Sequence, residues 1–326
     1  MAAAHSGGLT QIEVEDGEDP GFDGSYDSQS LTTSLTSSVY KYRHEHGRTY
    51  QNYRDGQYPF PNDEPELDRL DFQHHMFRIL QDEKLFMAPI PADVGNVLDV
   101  GTGTGIWAIE FADMYTSANV LGIDLSPTQP TWVPPNVQFE ICDANDPWVF
   151  GRKFDYIHAR YLHNAVAEKR FFRQAYDALK PGGWFEMMES PLPIHCDDGT
   201  LQGTALLQWS ESMQKLGEAI GCGFDNAWNY QQWIKDTGFI NVEQHIHRYP
   251  INPWPKDPKL KKVGLFEQVV FTDGLEGFSI KLYVSILGWA EEEVRILLAQ
   301  VRKDITNRNI HAYLSAITVV AQKALE

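Results

Sequence analysis

The chain has 326 residues, of which 42% are apolar and 12% aromatic, so it can bury a sizeable hydrophobic core. Lysine and arginine total 27 against 45 aspartates and glutamates, which gives a net charge of −18. A surface this acidic repels phosphate groups, and this excludes bulk binding to nucleic acid or to an anionic membrane.

Cysteine number and hydropathy indicate the compartment. The three cysteines, Cys142, Cys196 and Cys222, are too few for a disulfide framework, which is typical of the reducing cytosol or nucleus. No apolar run approaches the ~20 residues that a bilayer span needs, and the N-terminus lacks the basic and apolar regions of a signal peptide. We therefore expect a soluble, unsecreted protein of the cytoplasm, with the nucleus as the alternative.

The N-terminal part of the chain differs from the rest. Residues 1–40 carry seven acidic residues and no lysine or arginine, among many Gly, Ser and Thr. A segment of this composition buries too little apolar surface to offset its ordering entropy, so it is predicted to be a disordered acidic tail. A helix is predicted further on, where Phe72, Met76, Ile79 and Leu80 recur at helical spacing after a proline-containing stretch.

Strand and helix patterns then alternate. Short β-branched or aromatic runs occupy residues 96–100, 119–124, 137–142, 154–158 and 184–188, and helix or turn signals lie between them. This alternation predicts parallel βαβ units with right-handed crossovers. The expected fold class is therefore α/β, with a doubly wound and mostly parallel sheet.

Two helical stretches interrupt this rhythm in the C-terminal half. The first is an amphipathic pattern with a spacing of three and four residues, made by Leu206, Trp209, Met213, Leu216 and Ile220. The second is clearest over 290–301 and separates strand candidates at 242–249 and 313–321. Neither is long enough to hold its own core, so we interpret both as helical caps on one domain, at about 191–230 and 252–312.

The most informative motif is the strand and turn VLDVGTGTG, residues 97–105. Its glycines permit positive φ and let backbone amides approach a ligand, while the helix that begins at Ile106 presents its N-terminal N–H groups. A dinucleotide fingerprint needs a small residue in place of Ile106, and a P-loop needs a lysine, which is absent between Asn96 and Gly151. Asp99 instead suits a phosphate-free ligand with a sulfonium or ammonium charge, such as S-adenosylmethionine.

Two further acidic residues end predicted strands. Asp124 ends the strand at 119–124, where a carboxylate can accept hydrogen bonds from both ribose hydroxyls. Asp143 follows the next strand, where it can accept a hydrogen bond from the adenine amino group. Because the carboxyl ends of parallel strands meet at one edge of a sheet, these acids and the glycine turn together predict one nucleoside site.

The chain resembles the class I S-adenosylmethionine-dependent methyltransferases, and among them the fungal LaeA-like group of secondary metabolism. The resemblance spans about 40–323 and rests on the segments YPFPNDE (58–64), LDVGTGTGIW (98–107), PTWVPPN (130–136), DPW (146–148), FDYIHAR (154–160) and LKPGGW (179–184). It implies a seven-stranded Rossmann-like methyltransferase sheet whose last two strands are antiparallel at one edge. The implied methyltransferase domain covers 41–326, with a core at about 90–190.

The resemblance also assigns cofactor contacts to residues of this chain. It makes Asp99, Gly101 and Gly103 contacts of the methionine end, Asp124 the ribose acid, and Asp143 with Ala144 the adenine edge. Thr102 and Leu125 complete the predicted set of cofactor-binding residues. The implied activity is methyl transfer from S-adenosyl-L-methionine.

Candidate catalytic residues follow the fourth strand of the sheet, where a substrate would meet the methyl group. His163 is the predicted base for a hydroxyl acceptor, with His158 as the second candidate and Arg160 beside them. Structural roles as strand-end or capping residues are the alternative for all three. No group of histidines and carboxylates has metal-ligand spacing, so no metal is predicted.

Two groups of aromatic residues have alternative interpretations. Tyr50, Tyr53 and Tyr58 could lie over the cofactor, where an aromatic face stabilises a sulfonium, or could pin the N-terminal segment against the sheet. In the second cap, the residues Phe278, Tyr283 and Trp289 could line an apolar acceptor pocket, although core packing is the more frequent role of such residues.

The sequence is compatible with three functions. The first is an enzyme that methylates a small-molecule acceptor such as a polyketide, an alkaloid or a peptide-derived metabolite. The second is a LaeA-like regulator that acts through protein partners, and a homodimer formed by the caps is also open. The third is a cyclase that keeps the cofactor only for its charge. The absence of a basic nuclear-import run favours the enzyme.

Overall fold

A seven-stranded sheet forms the centre of the fold. The structure, a computed structural model, describes residues 43–50, 60–162, 165–221 and 223–326. The strands of the sheet are β3 (Asn96–Val100), β4 (Asn119–Asp124), β5 (Val137–Ile141), β6 (Phe154–Arg160), β7 (Leu179–Glu189), β8 (Ile240–Pro250) and β9 (Tyr313–Gln322). A separate short hairpin pairs β1 (Arg43–Glu45) with β2 (Arg48–Tyr50).

The sheet has the order β5-β4-β3-β6-β7-β9-β8. Strands β5, β4, β3, β6 and β7 pair in parallel, whereas β9 runs antiparallel to both β7 and β8. The α/β class and the mostly parallel, seven-stranded sheet are therefore confirmed. The antiparallel strand β9 lies between β7 and the edge strand β8. Strands β3 and β6 lie at the centre of the sheet, and most of their residues are buried.

Helices cover the sheet and extend beyond it. They are α1 (Glu64–Leu80), α2 (Ile106–Met114), α3 (Glu168–Ala178), α4 (Ala205–Ala219), α5 (Tyr230–Thr237), α6 (Pro258–Leu287) and α7 (Glu291–Thr306). The helix that precedes the first sheet strand is α1, and its N-terminus is capped by the Asp63 side chain, which accepts a hydrogen bond from the Glu66 N–H.

The cap helices share one core with α1 and with the C-terminal edge of the sheet. Trp209 and Met213 of α4, Phe271 of α6 and Phe77 of α1 belong to the same buried cluster, which also contains Tyr249 of β8. Burial of this joint face stabilises the cap against the sheet, because no single helix could bury its apolar side alone. The helices α4, α6 and α7 lie within the two stretches that the sequence assigns to caps.

Several expectations concern residues outside the described ranges. The acidic tail over 1–40 and two of the three tyrosines, Tyr53 and Tyr58, are among them, so these expectations remain predictions. Among the described residues, no helix combines the length and the apolar character that crossing a membrane requires.

Candidate active site

The glycine-rich turn after β3 forms one wall of a cleft at the carboxyl edge of the sheet. Its first two N–H groups, those of Gly101 and Thr102, donate to the Ile123 carbonyl at 2.9 and 3.0 Å. Gly101 has a φ of +69°, and a Cβ added there would lie 2.4 Å from Cδ2 of Leu162. Only glycine satisfies both limits, so the backbone itself lines the cleft here.

Asp99 and His158 form a buried pair below this turn. The two residues face each other across the β3 and β6 strands, and His158 Nδ1 lies 2.7 Å from Asp99 Oδ1. The second oxygen of Asp99 accepts a hydrogen bond from Thr102 Oγ1 at 2.6 Å, which ties the carboxylate to the turn. The His158 ring also stacks on Trp107, with ring centroids 3.8 Å apart and planes 2° from parallel.

Asp124 ends β4 and holds the opposite side of the turn. Its Oδ2 accepts the Gly103 N–H and its Oδ1 accepts the Ser126 N–H, both at 2.9 Å. Burial raises the pKa of Asp124 to about 6, although the backbone hydrogen bonds act against this shift. At pH 7 the carboxyl is therefore ionised and can accept further hydrogen bonds from a ligand.

The turn after β5 carries the third acid. Asp143 is 1% exposed, and its Oδ1 accepts the Asn145 N–H at 2.8 Å. The Ala144 carbonyl accepts hydrogen bonds from Trp148 Nε1 and from the Gln174 side chain, both at 3.0 Å. These contacts fix the backbone that follows Asp143 and keep its carboxyl at the edge of the sheet.

The residues predicted to bind the cofactor come together in one cavity, which we call the cofactor cleft. All eight line it: Asp99, Gly101, Thr102, Gly103, Asp124, Leu125, Asp143 and Ala144. His158 lines the same cleft. The other predicted catalytic residue, His163, lies outside the described residues and stays a prediction.

The donors and acceptors of the cleft fit S-adenosylmethionine. This cofactor has hydroxyl and amino groups that donate hydrogen bonds and one carboxylate that accepts them. Three carboxylates line the cleft, and Arg160 is the cationic side chain among its described lining residues. That single cation, with no lysine beside it in the described lining, does not suit a phosphate-bearing nucleotide.

Arg160 is held by a chain of contacts that leads away from the cleft. Its Nη2 donates to Nδ1 of His74 at 2.9 Å, and Nε2 of His74 lies 3.1 Å from Oε2 of Glu110. Burial lowers the pKa of His74 to about 4, so its ring is neutral and Nδ1 can accept. An ion pair between Arg78 and Glu110 completes the chain at the outer side.

A second cavity, the cap cavity, adjoins the cofactor cleft. Its wall is mainly apolar and aromatic, with Phe60, Leu192, Trp209, Met213, Phe224, Val270, Phe271, Phe278 and Leu314. Gln73 of α1 and Tyr161 line both cavities. A molecule in the cap cavity would therefore meet the cofactor cleft at these two residues.

Tyr161 lies at the junction in a strained conformation. It directly follows β6 and has a φ of +54°, which is rare for a residue with a bulky side chain. Its hydroxyl is 3.0 Å from that of Tyr249, which in turn lies 2.7 Å from Ser190 Oγ. The sequence analysis identified Arg160 as a candidate but not Tyr161. The position of Tyr161 immediately after the strand could have indicated it.

The structure separates the aromatic residues whose roles were open. Phe278 lines the cap cavity, whereas Tyr283 and Trp289 pack against each other in the cap core, with ring centroids 5.3 Å apart. Tyr50 is 2% exposed and packs under Lys281, whose Nζ lies 4.6 Å from its ring centroid. Tyr50 therefore packs the β1–β2 hairpin against α6 and is not among the lining residues of the cofactor cleft, and Phe278 is the residue of its group that borders a cavity.

Comparisons with known proteins agree with this geometry. A family described as "Methyltransferase domain" matches residues 72–244. Methyltransferase pytC of Aspergillus terreus is 40% identical over 302 residues, covering 92% of this chain and 93% of its own. Protein-methionine methyltransferase laeA of Emericella nidulans is 34% identical over 309 residues, covering 93% of this chain and 82% of its own.

Among solved structures, a Haemonchus contortus phosphoethanolamine N-methyltransferase 2 aligns with a TM-score of 0.46 and 17% identity. The alignment covers 91% of this chain and 74% of that one. The family match extends over more than half of the chain, and the fungal relatives align over nearly all of it. The chain therefore belongs to the methyltransferase domain family, and its cofactor is S-adenosylmethionine.

Proposed function

We propose that the chain methylates a small-molecule acceptor of fungal secondary metabolism, with S-adenosylmethionine in the cofactor cleft and the acceptor in the cap cavity. The observation that carries this proposal is the junction of the two cavities at Gln73 and Tyr161. An apolar cavity under helices, open towards the carboxyl edge of the sheet, is a typical site for a small organic ligand. The similarity to methyltransferase pytC supports methyl transfer as the activity.

The cofactor contacts are proposed from the acceptors and donors that line the cleft. Asp124 and Leu125 bind the ribose, Asp143 and Ala144 the adenine, and the turn of Gly101, Thr102 and Gly103 the methionine end, with Asp99 below it. Arg160 pairs with the methionine carboxylate, because an arginine can bind a carboxylate through two parallel hydrogen bonds.

The chain's contribution to catalysis is mainly positioning. The bound cofactor supplies an electrophilic methyl group, and the cavity walls orient the acceptor and exclude water. His158 acts as a positioning residue, since its Nδ1 contacts Asp99 and its ring is stacked on Trp107. His163 remains the proposed base for acceptors that must lose a proton.

The organisation of the chain is proposed on the same basis. An acidic tail over 1–40 precedes one methyltransferase domain over 41–326, with its core at about 90–190 and caps at about 191–230 and 252–312. The cap helices α4 and α6 line the cap cavity, and α7 packs in the same hydrophobic core, which supports the role of the caps as a cover for the acceptor. The cytoplasm, with the nucleus as the alternative, is the proposed location.

A second candidate is a regulator that acts through protein partners, with a protein side chain or no acceptor at all. Its support is the 34% identity to proteins named protein-methionine methyltransferase laeA and secondary metabolism regulator laeA. The apolar and aromatic lining of the cap cavity favours a small organic molecule as the acceptor. A homodimer is compatible with either function.

The test is the fate of tritiated methyl groups when the protein is incubated with labelled S-adenosylmethionine, small-molecule extract and protein extract of a fungus. Val270→Phe fills the cap cavity from α6, where Val270 is 2% exposed. The matched control is Val269→Phe, because Val269 is the preceding residue of the same helix and is 42% exposed.

We expect label in the small-molecule fraction with the wild-type protein and with Val269→Phe, and a loss of at least about tenfold with Val270→Phe. Binding of S-adenosylhomocysteine stays unchanged in both variants, which shows that they are folded. Label that enters only protein, or transfer that survives in Val270→Phe, would favour the second candidate.

A further inference from the structure

Glu267 is a buried acid of the cap cavity that the proposed mechanism does not use. It lies on α6 and is 4% exposed, yet it belongs to the cavity wall. Its Oε2 atom is fully buried, and no described residue donates a hydrogen bond to it. Polar atoms this deeply buried almost always have a partner, so the missing partner points to a ligand.

Arg69 lines the same cavity, and its guanidinium pairs with another carboxylate. Arg69 of α1 donates through Nε and Nη2 to Oε1 of Glu66, at 3.0 and 2.8 Å. Burial raises the pKa of Glu267 to about 8, and the charge of Arg69 offsets only part of this shift. Among the described residues, none forms with Glu267 the ion pair that a buried carboxylate needs to stay ionised.

Three other polar groups of the cap cavity contact one another. Tyr161, Tyr249 and Ser190 form a chain of hydroxyl contacts at 3.0 and 2.7 Å. Aromatic rings make up much of the remaining wall, and they include the edge-to-face pairs Phe60 with Phe278 and Trp209 with Phe271. The cavity therefore combines the Glu267 carboxyl group and the already paired Arg69 guanidinium with several aromatic faces.

We propose that the cap cavity binds an apolar acceptor that carries a basic nitrogen, and that Glu267 pairs with this nitrogen in its protonated form. The inference rests on the proposed function, because it names the acceptor class of the same site. A hydroxyl could donate one hydrogen bond to Glu267 but brings no positive charge to offset that of the carboxylate, so the acid would stay largely protonated. An ammonium group neutralises that charge and is stabilised by aromatic faces as well.

Glu267 also has a role after binding. A protonated amine has no free electron pair, so it must lose its proton before it can attack a methyl group. The proton moves from the nitrogen to a carboxylate oxygen of Glu267, and the electron pair of the broken N–H bond stays on nitrogen. The pair changes from ammonium and carboxylate to amine and carboxylic acid, with no other reactant needed.

The experiment compares two probes that differ only at the terminal group. Tryptamine carries an amine, and tryptophol carries a hydroxyl on the same indole-ethyl frame. Both are titrated by saturation-transfer NMR into the protein saturated with S-adenosylhomocysteine at pH 7.5. The variant is Glu267→Gln, and the matched control is Asp273→Asn, which removes one charge from the exposed side of the same helix.

We expect tryptamine to bind at least about tenfold more tightly than tryptophol, and this preference to disappear in Glu267→Gln but not in Asp273→Asn. Equal affinity for the two probes in the wild-type protein overturns the inference, and this comparison needs no variant to fold. Tighter tryptophol binding, a preference that survives in Glu267→Gln, or no tryptamine binding at millimolar concentration also overturns it.

The two proposals fail in different ways. If S-adenosylhomocysteine binds and the probes show no amine preference, the acceptor class is wrong and the methyltransferase proposal stands. If S-adenosylhomocysteine itself does not bind to the folded protein, the proposed function is wrong. Affinity for S-adenosylhomocysteine should be equal in wild type and Glu267→Gln, because Glu267 is not a lining residue of the cofactor cleft.

Discussion

His158 Nδ1 lies 2.7 Å from Oδ1 of Asp99, and both side chains are almost completely buried beneath the glycine-rich turn. The remaining Asp99 oxygen accepts a hydrogen bond from Thr102 in the turn itself. The shape of the cofactor cleft therefore depends on a histidine that the sequence reasoning placed among catalytic candidates. Its contacts favour a role in supporting Asp99.

Replacing His158 distinguishes support of Asp99 from a role as the catalytic base. His158→Ala removes one of the two hydrogen-bond partners described for the buried Asp99, so we expect a loss of about 2 kcal/mol in the free energy of unfolding and a rise of about tenfold in the cofactor Kd. His158→Asn keeps an N–H donor near Asp99 and should restore most of the cofactor affinity. If His158 were instead the catalytic base, His158→Asn would bind the cofactor normally and have a kcat as low as that of His158→Ala.

Arg160 is expected to recognise one end of the cofactor only. Arg160→Met should weaken binding of S-adenosylhomocysteine by about tenfold or more, since a charge-assisted pair with the carboxylate is lost. Binding of 5′-methylthioadenosine, which has no amino-acid part, should change by less than about twofold. Arg78→Met is the control, because Arg78 pairs with Glu110 at the far end of the same chain and does not line the cleft. Equal losses for both ligands in calorimetry would contradict this orientation.

Gly101 tests whether the glycine turn must lie close to Leu162. Gly101→Ala forces a side chain into positive φ and places its Cβ against Leu162, whereas Gly203→Ala has a similar φ with no atom within 4 Å. The φ penalty is about 1–2 kcal/mol in each variant, so the additional loss in Gly101→Ala measures the contact. We expect this extra loss in denaturant unfolding, together with loss of cofactor binding in Gly101→Ala alone. Equal stability of the two variants would mean that the turn can move away from Leu162.

The pKa of Glu267 predicts a pH-dependent stability. Its folded-state pKa of about 8 lies above the usual value of 4.5, so the stability that it contributes is complete below pH 4.5 and is lost as pH rises through 8. Relative to the wild-type protein, Glu267→Gln should gain about 2 kcal/mol in the free energy of unfolding between pH 5 and pH 7. Asp273→Asn should show no comparable gain. A difference between Glu267→Gln and wild type that is constant over this range would show that Glu267 is not buried as described.

Much of the cofactor cleft was predictable from sequence because its parts are local. Each acid directly follows or ends a strand, and the ends of parallel strands meet at one edge, so Asp99, Asp124 and Asp143 converge without any knowledge of packing. The glycine turn is contiguous with the first of them. The same argument located Arg160, whose strand was predicted two residues short of its observed end at Arg160.

The cap cavity was not predictable, because it is built from distant parts of the chain. Glu267 and Phe278 of α6, Trp209 of α4 and Tyr161 meet only after the cap has packed on α1. A helical pattern shows that such residues are on a helix but does not show which neighbour each one meets. His74 is a comparable case. Its role in holding Arg160 depends on a contact between distant parts of the chain.

The central claim is that the cofactor cleft binds S-adenosylmethionine through Asp124, and calorimetric titration with S-adenosylhomocysteine tests it most directly. We expect micromolar affinity in the wild-type protein, equivalent to about −8 kcal/mol. In Asp124→Ala the affinity should fall at least about tenfold, because the ribose hydroxyls and the N–H groups of Gly103 and Ser126 lose their acceptor.

Asp71→Ala is the matched control, since Asp71 supports the glycine turn through Thr104 at 2.7 Å but does not line the cleft. It should retain most of the wild-type affinity. No binding to the folded wild-type protein, or equal affinity in wild type and Asp124→Ala, would contradict the assignment of this cleft to the cofactor.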